Sequence, residues 1–168
     1  MAAMKRGIRP LVDPAVAVLA GVVAGTVATA VELVLWWLNG VALPQTLFRD
    51  ARFAAAIVLG RGALAPAGTF DGRVMLVASA LHFALSIAYA LALAAAIAPL
   101  RPRAAIAAGA LFGLLLYAVN MYGFTLVFPW FAATRDAVTL TAHIVFGATA
   151  AAVCKAARRG SPRNGATA

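Results

Sequence analysis

Four strongly polar side chains interrupt the apolar stretches of this sequence: Glu32, His82, Asn120 and His143. Two imidazoles and a carboxylate can exchange protons. Imidazole titrates near neutrality, and a carboxylate beside it orients one ring nitrogen. The same three residues, Glu32, His82 and His143, also suit a divalent or transition-metal cation. A further chemistry makes His82 and His143 the axial ligands of a b-type haem. Ala78 and Gly147 would leave room for its ring, and Arg49, Arg52 or Arg135 would meet its propionates. The plain alternative is structural: Glu32 hydrogen-bonds a histidine and locks the helices together. No enzyme is expected. The chain has no phosphate-binding glycine loop, nucleophile elbow or His-Glu-x-x-His motif. Its single cysteine, Cys154, allows no internal disulfide or metal knuckle.

The elements that must position these residues follow from composition. The 168 residues are 64% apolar and 11% charged, with a mean hydropathy of +0.94. A soluble fold of this size could not cover its surface with so few polar groups, so the solvent is lipid. Fourteen Lys/Arg against five Asp/Glu give a net charge of +9. These basic residues lie between long apolar runs and form no compact face to track phosphates. They set orientation in a bilayer and argue against nucleic-acid binding.

The fold class is an all-α membrane protein, a bundle of four transmembrane helices. A span needs roughly 20 apolar residues. The spans are expected at about 14–38, 74–100, 104–130 and 135–156. Together they form one polytopic domain over 1–160, followed by a flexible cytoplasmic tail at 161–168. Asp13-Pro14 reads as an N-cap with Pro at the first helical position. Lys5, Arg6 and Arg9 before an apolar run ending in Ala28-Thr29-Ala30 look like a signal peptide. The run continues through Trp37, which favours a retained span. The segment 44–66 is too charged for a comfortable span, and an interfacial or re-entrant helix fits it better.

Charge then orients the bundle. With four spans the N-terminus, Arg101/Arg103 and the tail (Lys155, Arg158, Arg159, Arg163) share one side, the cytoplasm. Trp36, Trp37 and Trp130 fall at the outer interface. Arg49, Asp50, Arg135 and Asp136 form an outer mouth. The basic tail has anionic lipid heads as an alternative partner. Pro44, Arg49-Asp50-Ala51 and Gly60 loosely parallel Pro129, Arg135-Asp136-Ala137 and Gly147. This suggests that both segments enter the membrane in the same way.

Depth brings the four polar residues to one level. Glu32 lies six residues from the outer end of its span, His82 eight, Asn120 eight to ten and His143 six. At 1.5 Å per residue, each falls roughly 9–15 Å below the outer face. Small and polar residues recur on the same helical faces. Gly21 and Gly25 precede Glu32, and Gly109 and Gly113 precede Asn120. Such small-xxx-small pairs are expected at helix contacts in lipid. An ionisable residue at this depth costs roughly 3 kcal/mol or more facing lipid, so Glu32 is expected to face protein or water.

The run Val31-Glu32-Leu33…Trp36-Trp37, then Leu43-Pro44…Leu47-Phe48-Arg49-Asp50-Ala51, then Leu81-His82-Phe83…Ser86-Ile87-Ala88-Tyr89 resembles the YagU-like family of small bacterial inner-membrane proteins. Some of its members carry a sodium:proline symporter label. The resemblance covers about residues 14–155. It implies a bacterial inner-membrane location and a multi-pass architecture. It does not carry proline transport, because the chain lacks the paired discontinuous helices of a midplane substrate site.

Three function classes follow: a proton- or cation-linked transporter-like protein, a haem-binding electron carrier, and a structural or accessory subunit. Four helices barely enclose a pathway, so a homo-oligomer or a larger membrane complex is expected.

Overall fold

The computed structural model describes residues 13–160. The tail 161–168 and the N-terminal Lys5, Arg6 and Arg9 lie outside the described residues. Five α-helices carry the fold: α1 Pro14–Leu38, α2 Leu43–Leu59, α3 Gly72–Ile97, α4 Pro102–Ala118 and α5 Ala137–Gly160. No strand occurs among the described residues. Four stretches are long and apolar enough to cross a membrane: Pro14–Leu38, Gly72–Ile97, Pro102–Leu126 and Ala137–Ala157. The chain is therefore an all-α, four-span integral membrane protein. The helix α2 is the extra element and is not among those four.

Local chemistry sets the helix starts. Asp13 Oδ1 accepts from Ala15 N at 2.9 Å, with Pro14 at the first helical position. Asp71 Oδ1 accepts from Arg73 N and Val74 N, at 2.9 and 3.0 Å, and opens α3. Asp136 Oδ1 accepts from Thr139 N at 2.8 Å and opens α5. Each bond satisfies a donor that a helix N-terminus leaves unpaired.

The helix α5 packs along α1 and α4, α1 also packs on α3, and α2 lies against α3. Small residues make these contacts close, as the glycine pairs predict. On α1, Ala17, Ala20, Ala24 and Ala28 form one buried ladder. A Cβ on Gly21 would sit 2.6 Å from Ile87 Cα, so α1 touches the α3 backbone there. The seam between α4 and α5 is tighter still. Added Cβ atoms would strike Gly147 O from Gly109, His143 O from Gly113 and Gly109 O from Gly147. Dispersion between close backbones, not exclusion of water, drives this packing in lipid.

The structure departs from the sequence expectation in four places. The third span does not run unbroken to residue 130. The α-helix stops at Ala118, continues as a π-helical turn over Val119–Gly123 and a 3-10 turn over Phe124–Leu126, and ends there. Side chains take up carbonyls that the wider turn frees. Thr125 Oγ1 donates to Met121 O and Tyr122 O, and Arg135 Nε donates to Met121 O at 2.6 Å. A separate 3-10 helix, Pro129–Thr134, then leads to α5.

The loose repeat is not structural. Arg49-Asp50 lies inside α2, whereas Arg135-Asp136 precedes α5.

Arg52, expected to meet a haem propionate, is taken up by the loop between α2 and α3. It is 3% exposed, and its guanidinium donates to Ala63 O, Ala65 O, Thr69 O and Thr69 Oγ1. It staples the loop between α2 and α3 to the α2 helix.

Lys155 is not a purely topological charge. It is buried, and Nζ donates to Ile97 O at 2.7 Å and Ala98 O at 3.2 Å. It satisfies carbonyls at the end of α3, where a cation also meets the negative end of the helix dipole.

Candidate functional site

The four polar residues meet. Glu32, His82, Asn120 and His143 all line one cavity of about 190 Å³, together with Tyr89 on α3. Each comes from a different span, so only the assembled bundle makes the site.

Hydrogen bonds order the cavity in one direction. Tyr89 O–H donates to Asn120 Oδ1 at 3.2 Å. The Asn120 amide faces His143 Nε2 at 3.2 Å, and His143 Nδ1 faces Thr139 O at 2.8 Å. A carbonyl can only accept, so Nδ1 carries the proton and Nε2 accepts from the amide. Thr139 O–H in turn donates to Glu32 Oε1 at 3.4 Å. Thr139 is buried and joins the two halves of the layer. The Tyr117 ring stands edge-on to His143, with centroids 5.7 Å apart.

The expected direct bond between Glu32 and a histidine is absent. Among the described residues the one ion pair is Arg49–Asp50, at 2.7 Å. Among those residues Glu32 therefore has no cation within ion-pair distance. His82 is also less enclosed than a buried layer implies. It is exposed, with Nε2 3.5 Å from Thr29 Oγ1. Gly25 gives it space, since a Cβ there would lie 3.1 Å from His82 Nε2 and 2.8 Å from Ser86 Oγ.

Metal and haem do not fit this geometry. Among the described residues, no three His, Cys, Asp or Glu side chains group closely enough to hold a metal ion. Equal depth did not bring Glu32, His82 and His143 to one ligation point. His143 has both ring nitrogens engaged, by Asn120 and Thr139, which leaves no lone pair directed at an iron. The arginines assigned to the propionates have other partners. Arg49 holds Asp50, Arg52 holds the loop, and the Arg135 guanidinium lies 4.5 Å from the Tyr122 ring centroid.

Comparison with protein-family models, with curated proteins and with solved structures finds no match. The site is therefore read from its own geometry.

A second cavity, of about 440 Å³, lies between α1, α2 and α3. Thr29, Glu32 and His82 line both cavities and form the wall between them. Asp50 lines the second cavity, with Trp36, Ser79 and Phe83. Burial raises the Asp50 carboxyl above its ordinary range, and the bond from Arg49 opposes that shift.

The mouth residues thus divide by task. Asp50 faces a cavity, Asp136 caps α5, and Arg135 braces the π turn. The sequence reading missed the linking role of Thr139. Its position on the stripe Asp136, Thr139, His143 was the available signal.

Proposed function

We propose that this chain is a bacterial inner-membrane protein that moves protons in a transport cycle, with Glu32 and His143 as its titrating groups. The observation that carries this reading is the shared cavity with its ordered contacts from Tyr89 through Asn120 and His143 to Thr139 and Glu32. A carboxylate with no cationic partner among the described residues, inside a span and facing a cavity rather than lipid, is a functional group by default. A structural lock would pair the carboxylate, because an unpaired charge away from water is expensive. The placement of Glu32 in the wall between two cavities lets it meet both. The positive charges of the 101–103 turn and the tail support cytoplasmic termini. The YagU-like resemblance supports the location and the architecture, and the proton chemistry stands on the site alone.

The test is proton uptake into vesicles that contain the purified protein and an entrapped pH dye, under an imposed membrane potential. The wild-type chain should acidify the lumen faster than protein-free vesicles. Glu32→Gln, which keeps shape and removes the charge, should return the rate to background while the protein stays folded. Equal rates for wild-type and protein-free vesicles would end the reading.

A further inference from the structure

We infer that the cavity between α1, α2 and α3 binds a lipophilic organic monocation, whose charge replaces the proton of Glu32. The inference rests on the reading of Glu32 as a titrating group and names what it exchanges with. Volume separates the two cavities. At about 440 Å³ the cavity lies within the roughly 300–1,000 Å³ of small-molecule sites, whereas the 190 Å³ inner cavity lies below it.

The lining specifies the ligand. Among the described residues two carboxylates face the cavity, but Arg49 holds Asp50 at 2.7 Å, so Glu32 is the one of the two with no cationic partner there. One uncompensated negative charge calls for one positive charge. Trp36, Phe83 and Met75 supply polarisable walls, and aromatic faces attract ammonium groups. Among the described residues no Lys or Arg lines this cavity, so they offer an anion nothing to hold it. Thr26, Ala30, Ser79 and His82 line it and are exposed on the faces of two spans. The groove therefore opens sideways, toward lipid, and admits a ligand that partitions into the bilayer.

The exchange balances. A protonated Glu32 gives its proton to water as the cation enters, and the carboxylate remains as counter-charge, so the groove's net charge is unchanged. The groups that face Glu32 are Thr139 of α5, whose hydroxyl bonds it, and Asp50 of α2 and His82 of α3, which line the same cavity.

Benzyltrimethylammonium is a suitable probe, because neopentylbenzene has the same shape without the charge. Equilibrium dialysis of the detergent-solubilised full chain against the radiolabelled cation should show one saturable site per chain. Excess neopentylbenzene should displace it poorly. Glu32→Gln should weaken binding by at least about tenfold, since it removes the sole counter-charge from a poorly solvated groove. Ala54→Phe, which fills the cavity from α2, should abolish cation binding while the protein stays folded. No saturable site, equal displacement by the neutral isostere, or unchanged binding in a folded Glu32→Gln protein would each overturn the inference. Proton uptake by wild-type vesicles without cation binding would overturn it alone and leave the proton reading standing.

Discussion

Glu32 and His143 share no direct hydrogen bond, yet both bond to Thr139: its hydroxyl donates to Glu32 Oε1, and its carbonyl accepts from His143 Nδ1. The carbonyl bond fixes the imidazole tautomer, and the hydroxyl bond steadies the carboxylate. Thr139→Val keeps the shape and the carbonyl but removes the hydroxyl. It should cost about 1 kcal/mol of stability, the net worth of one hydrogen bond, and should slow proton uptake. Thr139→Ser should restore the rate. Thermal melting and vesicle uptake measured on the same preparations check both halves.

The seam between α4 and α5 should tolerate no side chain. Gly109→Ala and Gly147→Ala would each place a methyl group against backbone that cannot rotate away. Each should destabilise the bundle by about 1–3 kcal/mol. Gly62→Ala, where a Cβ meets nothing within 4 Å, is the control and should melt with the wild type.

Arg52→Met should loosen the α2–α3 loop without touching either cavity's carboxylates. The methionine keeps the stem but strips donors from Ala63 O, Ala65 O and Thr69. The cost should be about 1–3 kcal/mol. Limited proteolysis should cut within residues 60–70 faster than in the wild type. Arg52→Lys should not rescue, because one ammonium cannot span three separated acceptors.

Asp71 gives a pH signature. The backbone N–H of Val74, then that of Arg73, holds its carboxyl below the ordinary carboxylate range of 3.8. A carboxylate with a depressed folded value adds stability above 3.8, and this is lost as pH falls through the lower folded value. Asp71→Ala should therefore melt earlier than the wild type at neutral pH. The gap should close as the pH is taken below 3.8. A gap of constant size would show that the ionised form adds nothing at this cap.

Much of this arrangement was legible in the sequence, and the failures have physical causes. The spans were visible because lipid demands long apolar runs, and Asp13-Pro14 marked the first boundary to the residue. The helix pairs were visible because Gly21, Gly25, Gly109 and Gly113 recur at helical spacing. Glu32, His82, Asn120 and His143, which lie at similar depths along their spans, line one cavity. Depth is only one coordinate. It could not tell that Thr139 would stand between Glu32 and His143, or that His82 would be exposed. The roles of Arg52 and Lys155 were hidden because their partners are backbone carbonyls, which every residue has. The end of α4 at Ala118 was hidden because apolar residues run on past it. The bonds that hold the π turn come from Thr125 and from the distant Arg135.

Lys155 has a consequence for mapping the protein in its membrane. Its ammonium joins the last turns of α5 to the carbonyls that close α3, so the two helix ends share one face of the bilayer. The whole bundle then has one unknown sign, and a single reporter fixes it for every connection at once. Cysteines introduced by Leu100→Cys and Ala133→Cys must give opposite answers to an impermeant thiol reagent added outside the cell. With cytoplasmic termini, the site at 133 reacts and the site at 100 is shielded. The native thiol of Cys154 is buried and contributes little background.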